Sequence, residues 1–377
     1  MTILIAGDFS PLGRVADFFE ANDFDYVLKE VKPIIEQTDY SIVNFESSVT
    51  KGGEKPILKQ GPNLQCSEKG VEAIRWAGFQ CVTLANNHFL DYGGDAVRNT
   101  LDICRKYEID TVGGGMNLSE ASKILYKELK GKTLAIINCC EHEFSVATGA
   151  TPGCNPLNPI QQYYSIQEAR KKADYVLVIV HGGHEMWQLP SPRMVETYRF
   201  FVDAGADTVV NHHQHCFSGY ENYKGKPIFY GLGNFCFDRK GSMEELWDYG
   251  YMVNIHFSNQ ISFEVLPYEQ CKDEPKIKLL KDKQRIEEQL QELNDIISDG
   301  NKLAQATLDY YQRSSRATNM VLEPYSGKML SKLFLKGMLP RLMNRGKLIK
   351  MLNMVECEAH RDKLLFFLKR YYNDRVS

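Results

Sequence analysis

Three histidines, His212, His213 and His215, stand within four positions directly after the β-branched run TVV at 208–210. An apolar β-branched run predicts a buried strand, so the histidines should lie where that strand ends. In extended backbone His213 and His215 point to one side and His212 to the other. Neutral imidazoles on one face are good ligands for a divalent metal ion. A polar, His-rich surface loop is the alternative interpretation.

Oxygen and imidazole ligand types also follow the other predicted strands, because Asp8, Glu46, Asn87 and His181 come at or just past strand ends. In α/β sheets, ligand sites are built at the carboxyl ends of the strands. Each residue alone could be an ordinary polar loop residue, but five such strand ends favour one shared site. Carboxylate, amide oxygen and imidazole together suit Mn²⁺, Fe²⁺ or Zn²⁺.

The number of ligand-type residues favours two divalent ions bridged by a carboxylate, because six exceed the need of one ion with an open position. A two-metal centre lowers the pKa of a bridging water and clamps the oxygens of a phosphoryl group. The predicted ligands are Asp8, Glu46, Asn87, His181, His213 and His215.

His88 stands beside Asn87 and is the candidate general acid. Asp91, three residues on, is expected to hold its imidazole and raise its pKa. The alternatives for His88 are a hydrogen bond to a loop carbonyl or a place among the metal ligands.

Short apolar runs alternate with helical patterns up to about residue 240, which predicts an α/β layered fold. The pattern predicts a helix over 25–37 and an antiparallel strand pair over 251–257 and 261–267. Leucine and isoleucine spacing predicts a long amphipathic helix over 277–307, with a break near Gly300.

Composition indicates a soluble globular protein, with 377 residues, 43% hydrophobic residues and 25% charged residues. The net charge of −3 combines an acidic part and a basic part. Residues 1–270 carry 24 Lys and Arg against 34 Asp and Glu, whereas residues 271–377 carry 21 against 14. This change of sign predicts a main domain over 1–270 and a helical, basic extension over 271–377.

The ten cysteines form no C-x-x-C pair, which is typical of reduced structural thiols. The sequence has no signal-peptide pattern at its start and no apolar run of about 20 residues. These features predict a cytoplasmic location.

The segment 326–352 alternates basic and apolar residues, and a further helix is predicted over 356–372. A helical cap on the main domain is one interpretation. Peripheral binding to anionic lipid, or to a partner in capsule synthesis, is the other. Nothing in the sequence resembles a nucleic-acid-binding module.

Several motifs resemble, in order and spacing, those of the CapA family of bacterial capsule and poly-γ-glutamate synthesis proteins. These motifs are GDFSP at 7–11, NFESSVT at 44–50, LANNHFLDYG at 84–93, VGGGMNLSEA at 112–121, VHGGHE at 180–185 and the block from GADTVVNHHQH to YGLGNF at 205–235. The family is related to the calcineurin-like metallophosphoesterases. The resemblance implies a four-layer αββα sandwich with a dinuclear metal site at the strand ends.

Carried over by residue, the resemblance implies that Asp8 is the first ligand and that Glu46 is the bridging carboxylate. It also implies the Asn87–His88 pair as ligand and proton donor. His181, His213 and His215 then complete the ligand set. Two of these positions depart from the metallophosphoesterase pattern. Ser10 stands where those enzymes usually have a histidine ligand, and Glu46 stands where they usually have an aspartate.

The resemblance implies a metal-dependent hydrolase that acts in cell-surface polymer biosynthesis through a metal-activated water. The expected substrate has a phosphoester or γ-glutamyl bond. Two alternatives stay open: a non-catalytic scaffold in a capsule or polyglutamate assembly, and a γ-glutamyl amidase.

Overall fold

The computed structural model describes residues 1–239, 245–325 and 327–356, together with 360–361, 364–365 and 367–368. The side chains of 314–322 and 356 lie outside this description, as does most of the helix predicted over 356–372. The compact units are Met1–Leu303 and Ala304–Ser377.

The first unit is built on strands that alternate with helices. Strands β1 to β18 cover Thr2–Ser10, Tyr40–Phe45, Ser48–Val49, Gln65–Cys66, Cys81–Thr83, Asp110–Val112, Gly114–Gly115, Leu125–Leu129, Lys132–Cys140, Gly153–Cys154, Tyr175–His181, Thr208–His212, Tyr220–Tyr223, Lys226–Phe229, Asn234–Phe237, Tyr249–His256, Ser262–Gln270 and Ile277–Leu279. Helices α1 to α12 cover Arg14–Glu20, Phe24–Leu28, Lys32–Glu36, Glu68–Ala77, Gly93–Lys106, Leu118–Ala121, Pro159–Lys172, Pro192–Asp203, Gln284–Ser298, Gly300–Leu322, Lys328–Leu335 and Arg345–Glu356, and a 3-10 helix covers Glu245–Asp248.

Two large sheets hold most of these strands, while β3 with β4 and β7 with β10 form two-stranded sheets. The first has the order β18-β17-β16-β1-β2-β5-β6, with β15 also paired to β1, and the second has the order β13-β14-β12-β11-β9-β8. Strands β1, β2, β5 and β6 are mutually parallel, and so are β9, β11, β12 and β14. Parallel strands bring their carboxyl ends to one edge of each sheet, where the predicted ligands lie.

The two sheets pack face to face and are covered by helices on their outer sides. Residues of both sheets, such as Ile5 and Ile42 of the first and Ile136 and Ile179 of the second, share one buried cluster. The other face of the first sheet forms a second cluster with α1 to α5. Helices α7 and α8 pack against β9, β11, β12 and β14 of the second sheet. The predicted four-layer αββα sandwich with a C-terminal helical extension is therefore confirmed.

A close backbone approach brings β15 beside the end of β1. A Cβ atom on Gly7 would lie 1.9 Å from the Gly233 carbonyl oxygen, and Gly233 has a φ of +78°. The absence of side chains lets the Asp8 N–H donate to that carbonyl at 3.1 Å. The pairing register shifts at this point of β1, so Asp8 leaves the regular ladder just where it meets the site.

The structure corrects two predicted helices. The helix expected over 25–37 is two short helices, α2 and α3, because Pro33 cannot lie inside a continuous helix and stands instead at the start of α3. The helix expected over 277–307 begins instead with β18, which pairs antiparallel with β17. Ile277 and Leu279 alternate with charged residues, so this short stretch fits a strand equally well. The break near Gly300 and the antiparallel pair β16 and β17 are confirmed.

The predicted boundary near residue 270 stays a prediction, and it falls inside the first compact unit, between β17 and β18. Helix α9 belongs with the sandwich, since Asn294 accepts the Tyr220 N–H at 2.7 Å. Within the described part of the chain, no disulfide joins the cysteines, and all but Cys66 are buried. Among the described residues, no helix combines the length and apolar content needed to cross a membrane.

Candidate metal centre

Glu46 lies at the centre of the candidate site and is fully buried just after β2. Its N–H donates to the Phe9 carbonyl at 2.9 Å, which fixes it to the end of β1. Neither carboxylate oxygen has a hydrogen-bond partner among the described residues. Burial, and then the charge of Asp8, raise the pKa of Glu46 well above its ordinary value. A buried carboxylate without partners is costly unless a cation accompanies it.

Three imidazoles surround one oxygen of Glu46. The Nε2 atoms of His88 and His181 lie 3.8 Å from Glu46 Oε1, and that of His215 lies 3.7 Å away. These distances are too long for hydrogen bonds. They match atoms that share a cation, because two ligands bound at about 2.1 Å lie roughly 3–4 Å apart.

Two ligand triads meet at Glu46. The first is Glu46, His181 and His213, and the second is Asp8, Glu46 and His215, with all ligand atoms of a triad within 4.8 Å of one another. All five residues are buried. A carboxylate common to both triads is the geometry that a bridging ligand between two ions requires, and the donor set therefore fits divalent metal.

Asn87 extends the first triad. Its Oδ1 lies 3.0 Å from His181 Nε2, which is also 3.0 Å from His213 Nδ1. Burial and the neighbouring His213 ring hold the pKa of His181 well below its ordinary value, and burial lowers the pKa of His213 to about 3. Both rings are therefore neutral at pH 7, which is the form that binds metal.

Asparagines and backbone groups fix these ligands in place. Asn44 Nδ2 donates to Asp8 Oδ1 at 2.8 Å, and Asn234 Oδ1 lies 2.9 Å from His215 Nδ1. The second contact turns His215 Nε2 toward Glu46. Asn86 donates to the Phe45 carbonyl at 2.8 Å and thereby ties the turn that carries Asn87 to the end of β2.

His212 also reaches the site, contrary to the prediction that it points away from its neighbours. Its Nδ1 lies 3.1 Å from Asp8 Oδ1. The prediction fails because β12 ends at His212, while His213 and His215 have φ values of +93° and +56°. The alternation of side chains applies only to extended backbone. Burial alone would raise the pKa of Asp8, but His212, His215 and Asn44 bring it below its ordinary value.

His88 is held by a buried ionic cluster. Its Nδ1 lies 2.6 Å from Asp91 Oδ2, as expected for an orienting carboxylate. Lys59 forms an ion pair with Asp91, and its Nζ lies 3.1 Å from His88 Nδ1. Burial lowers the pKa of His88, and Asp91 only partly opposes this. The expected rise in the pKa of His88 is therefore wrong, because desolvation outweighs the contact with Asp91.

The site also contains Lys59, which no sequence pattern marks and which comes from the irregular segment between β3 and β4. Its side chain is 1% exposed and that of Asp91 is fully buried. The segment KGGEKPILKQGPN at 51–63 contains several lysines and no periodic pattern. Nothing in it marks Lys59 as the lysine that is buried.

Replacing Lys59 by methionine should destabilise the fold by about 3–5 kcal/mol, because Asp91 would keep a buried charge without its cation. Urea unfolding of the metal-free protein measures this change. The matched control is Lys55→Met, which alters an exposed lysine of the same segment. A loss below about 1 kcal/mol for Lys59→Met would contradict the buried ion pair.

Aromatic side chains form one wall of the centre. The His215 ring lies 4.9 Å from that of Trp247 and 5.2 Å from that of Phe237, measured between centroids. Trp247 and Phe237 form a small buried cluster with Leu64.

Glu143 lies close to His213, with its Oε2 3.7 Å from His213 Nε2. Burial and the charge of Glu185 raise the pKa of Glu143.

A family model described as bacterial capsule synthesis protein PGA_cap matches residues 2–239. The chain belongs to this family. The resemblance to CapA drawn from the motifs is thereby confirmed, and the PGA_cap match spans every predicted ligand from Asp8 to His215 together with His88 and Asp91.

Two curated relatives of this PGA_cap chain are similar over about 60% of its length. The capsule biosynthesis protein CapA of Bacillus anthracis is 34% identical over 247 residues, which are 63% of this chain and 60% of that protein. The PGA biosynthesis protein CapA of Bacillus subtilis (strain 168) is 36% identical over 232 residues, 60% of this chain and 61% of that protein. The chain thus spans about 60% of the length of these relatives.

Among solved structures, a 5'-nucleotidase precursor from Thermus thermophilus aligns with a TM-score of 0.43 and 11% identity. The alignment covers 86% of this chain and 60% of that one. The fold assignment rests on the two sheets described above and not on this alignment.

Proposed function

We propose that this PGA_cap protein is a metal-dependent hydrolase of cell-surface polymer biosynthesis. The observation that carries the proposal is Glu46, a buried carboxylate with both oxygens unpartnered among the described residues and three imidazole nitrogens within 3.8 Å of one of them. A divalent ion held there supplies Lewis acidity and lowers the pKa of a water molecule.

The residues around Glu46 would have separate roles. Glu46, Asn87, His181 and His213 would hold one ion, and Asp8, Glu46 and His215 would hold the other. His88 faces the same centre and, in its protonated imidazolium form, would give the proton on Nε2 to the leaving oxygen while Asp91 holds Nδ1. Asp91 and Lys59 keep the His88 ring in place through the contacts at its Nδ1.

The two ion positions are expected to differ in affinity. The second triad has Ser10 where metallophosphoesterases usually supply a histidine, and the Ser10 hydroxyl is buried without a hydrogen-bond partner in the described part of the chain. Calorimetric titration with Mn²⁺ should therefore resolve a tight site and a site at least about tenfold weaker. His213→Ala should remove the tight step, and His215→Ala should remove the weak one. A single step that survives both substitutions would contradict this assignment.

The γ-glutamyl amide bond is the first to test, since one of the relatives is a PGA biosynthesis protein. The γ-glutamyl amide bond and the phosphoester bond both suit an ion-activated water. A panel of γ-glutamyl peptides, phosphodiesters and phosphomonoesters with Mn²⁺ separates the two. Turnover lost in Glu46→Gln supports the hydrolase proposal. Absence of turnover on every substrate, with metal bound, would favour a binding scaffold.

A further inference from the structure

The C-terminal unit contains a stretch rich in cations and apolar side chains that has no carboxylate. We call residues 327–355 the basic segment; it contains no Asp or Glu, whereas the whole chain has a net charge of −3. Its cations are Lys328, Lys332, Lys336, Arg341, Arg345, Lys347 and Lys350.

Helix α12 exposes an apolar side. Leu348, Ile349, Leu352 and Val355 are between 44% and 59% exposed. Their spacing of one, four and seven residues from Leu348 places them along one side of an α-helix. Exposed leucines occur singly on many surfaces, but a row of four on one helix indicates a binding surface.

The part of the basic segment before α12 also exposes apolar side chains, and it is held in place by a buried residue and by hydrogen bonds. Phe334 of α11 is buried, and its ring lies 5.5 Å from that of Tyr325. Met329 and Met338 are 74% and 68% exposed. The buried carboxylate of Glu323 accepts the N–H groups of Leu342 and Met343, which holds the connection between α11 and α12. Met329 and Met338 are therefore exposed side chains in a part of the basic segment that is packed on its other side.

The charge of the basic segment selects the kind of partner. Protein interfaces are depleted of lysine, and charged residues are rare in the core of such interfaces. Cations interleaved with exposed leucine, isoleucine and methionine match a surface that is anionic outside and apolar a few ångströms below. We propose that the basic segment binds the surface of a bilayer that contains anionic phospholipid, with the apolar side of α12 inserted among the headgroups.

Flotation of the full chain with vesicles at low salt tests this proposal. We expect binding to equimolar phosphatidylglycerol and phosphatidylcholine and little binding to phosphatidylcholine alone. Raised salt should weaken binding, because the charges are exposed and screened. Lys347→Gln combined with Lys350→Gln should reduce the partition coefficient by about fivefold per cation. Ile349→Asp combined with Leu352→Asp should reduce it by at least about tenfold.

Matched controls come from helix α7, which also exposes apolar and basic residues. Ile160→Asp combined with Tyr164→Asp alters side chains that are 71% and 68% exposed, and Lys171→Gln combined with Lys172→Gln removes two cations. Both control variants should bind vesicles like the wild type. Circular dichroism and thermal melting confirm that each variant is folded.

The proposal would be overturned by no vesicle binding of the wild type, by equal binding to both vesicle types, or by unchanged binding of the α12 variants. If light scattering instead shows a dimer that Ile349→Asp with Leu352→Asp dissociates, a second copy covers this surface and the lipid proposal is wrong.

Discussion

Replacing Glu46 by glutamine should abolish metal-dependent stabilisation of the fold. Ligand binding to the native state stabilises it by about 2.7 kcal/mol when the free ligand is at about 100 times its dissociation constant. Wild-type protein should gain about this much for each ion in excess Mn²⁺, whereas Glu46→Gln should gain little, because both triads share Glu46. Metal analysis after gel filtration measures the bound metal. Urea unfolding with and without Mn²⁺ measures the stabilisation by metal.

Without metal, the same substitution should not lower the stability of the fold. The pKa of Glu46 is higher in the folded chain than its ordinary 4.5, so the folded state holds the proton more tightly. Ionisation of Glu46 then costs stability increasingly as the pH rises above 4.5. Metal-free Glu46→Gln should therefore equal or exceed the wild type in stability at pH 7. The control is Glu264→Gln, at an exposed position of β17. It should change neither the stabilisation by Mn²⁺ nor the stability of the metal-free protein. Full metal content in Glu46→Gln would refute the bridging assignment.

Replacing His88 by asparagine should reduce turnover while leaving the bound metal in place. A positioned proton donor contributes about 10²–10⁴-fold to rate. The loss should be largest on substrates with poor leaving groups, which need a proton most. Nitrophenyl esters have good leaving groups and should be affected less. Turnover of both substrate types, together with metal content, measures the effect.

The control for His88 is His256→Asn, which alters a distant histidine whose Nδ1 contacts the Thr2 hydroxyl at 3.0 Å. It should leave turnover and metal content unchanged. Loss of metal in His88→Asn would assign His88 to the ligands, which its Nε2 at 3.8 Å from Glu46 Oε1 also allows. An equal loss of rate on good and poor leaving groups, with metal retained, would remove the general-acid role.

The sequence predicts which candidate ligands lie close together where regular strands carry them. Asp8, Glu46 and His181 stand at the ends of parallel strands, and the sheet topology alone brings such ends to one edge. The alternation of short apolar runs with helical patterns predicts the strands and the α/β layers, and the four-layer αββα arrangement is what the resemblance to the family implies.

The prediction fails where tertiary contacts decide the position of a side chain. His212 turns to Asp8 because the backbone after β12 leaves the extended region, which no periodicity reveals. Lys59 is buried only because Asp91 offers a buried charge that is distant in sequence. Trp247 contacts the His215 ring although the two residues are distant in sequence, and the strand pattern does not predict this contact.

Anomalous diffraction from crystals grown with Mn²⁺ tests the central claim most directly. We expect two peaks, one on each side of the Glu46 carboxylate, about 3.5–4 Å apart as in two-metal sites. The stronger peak should lie beside His181 and His213, and the weaker one beside Asp8 and His215. An absence of anomalous density around Glu46, at Mn²⁺ concentrations that saturate known two-metal enzymes, would contradict the claim that these residues form a metal centre.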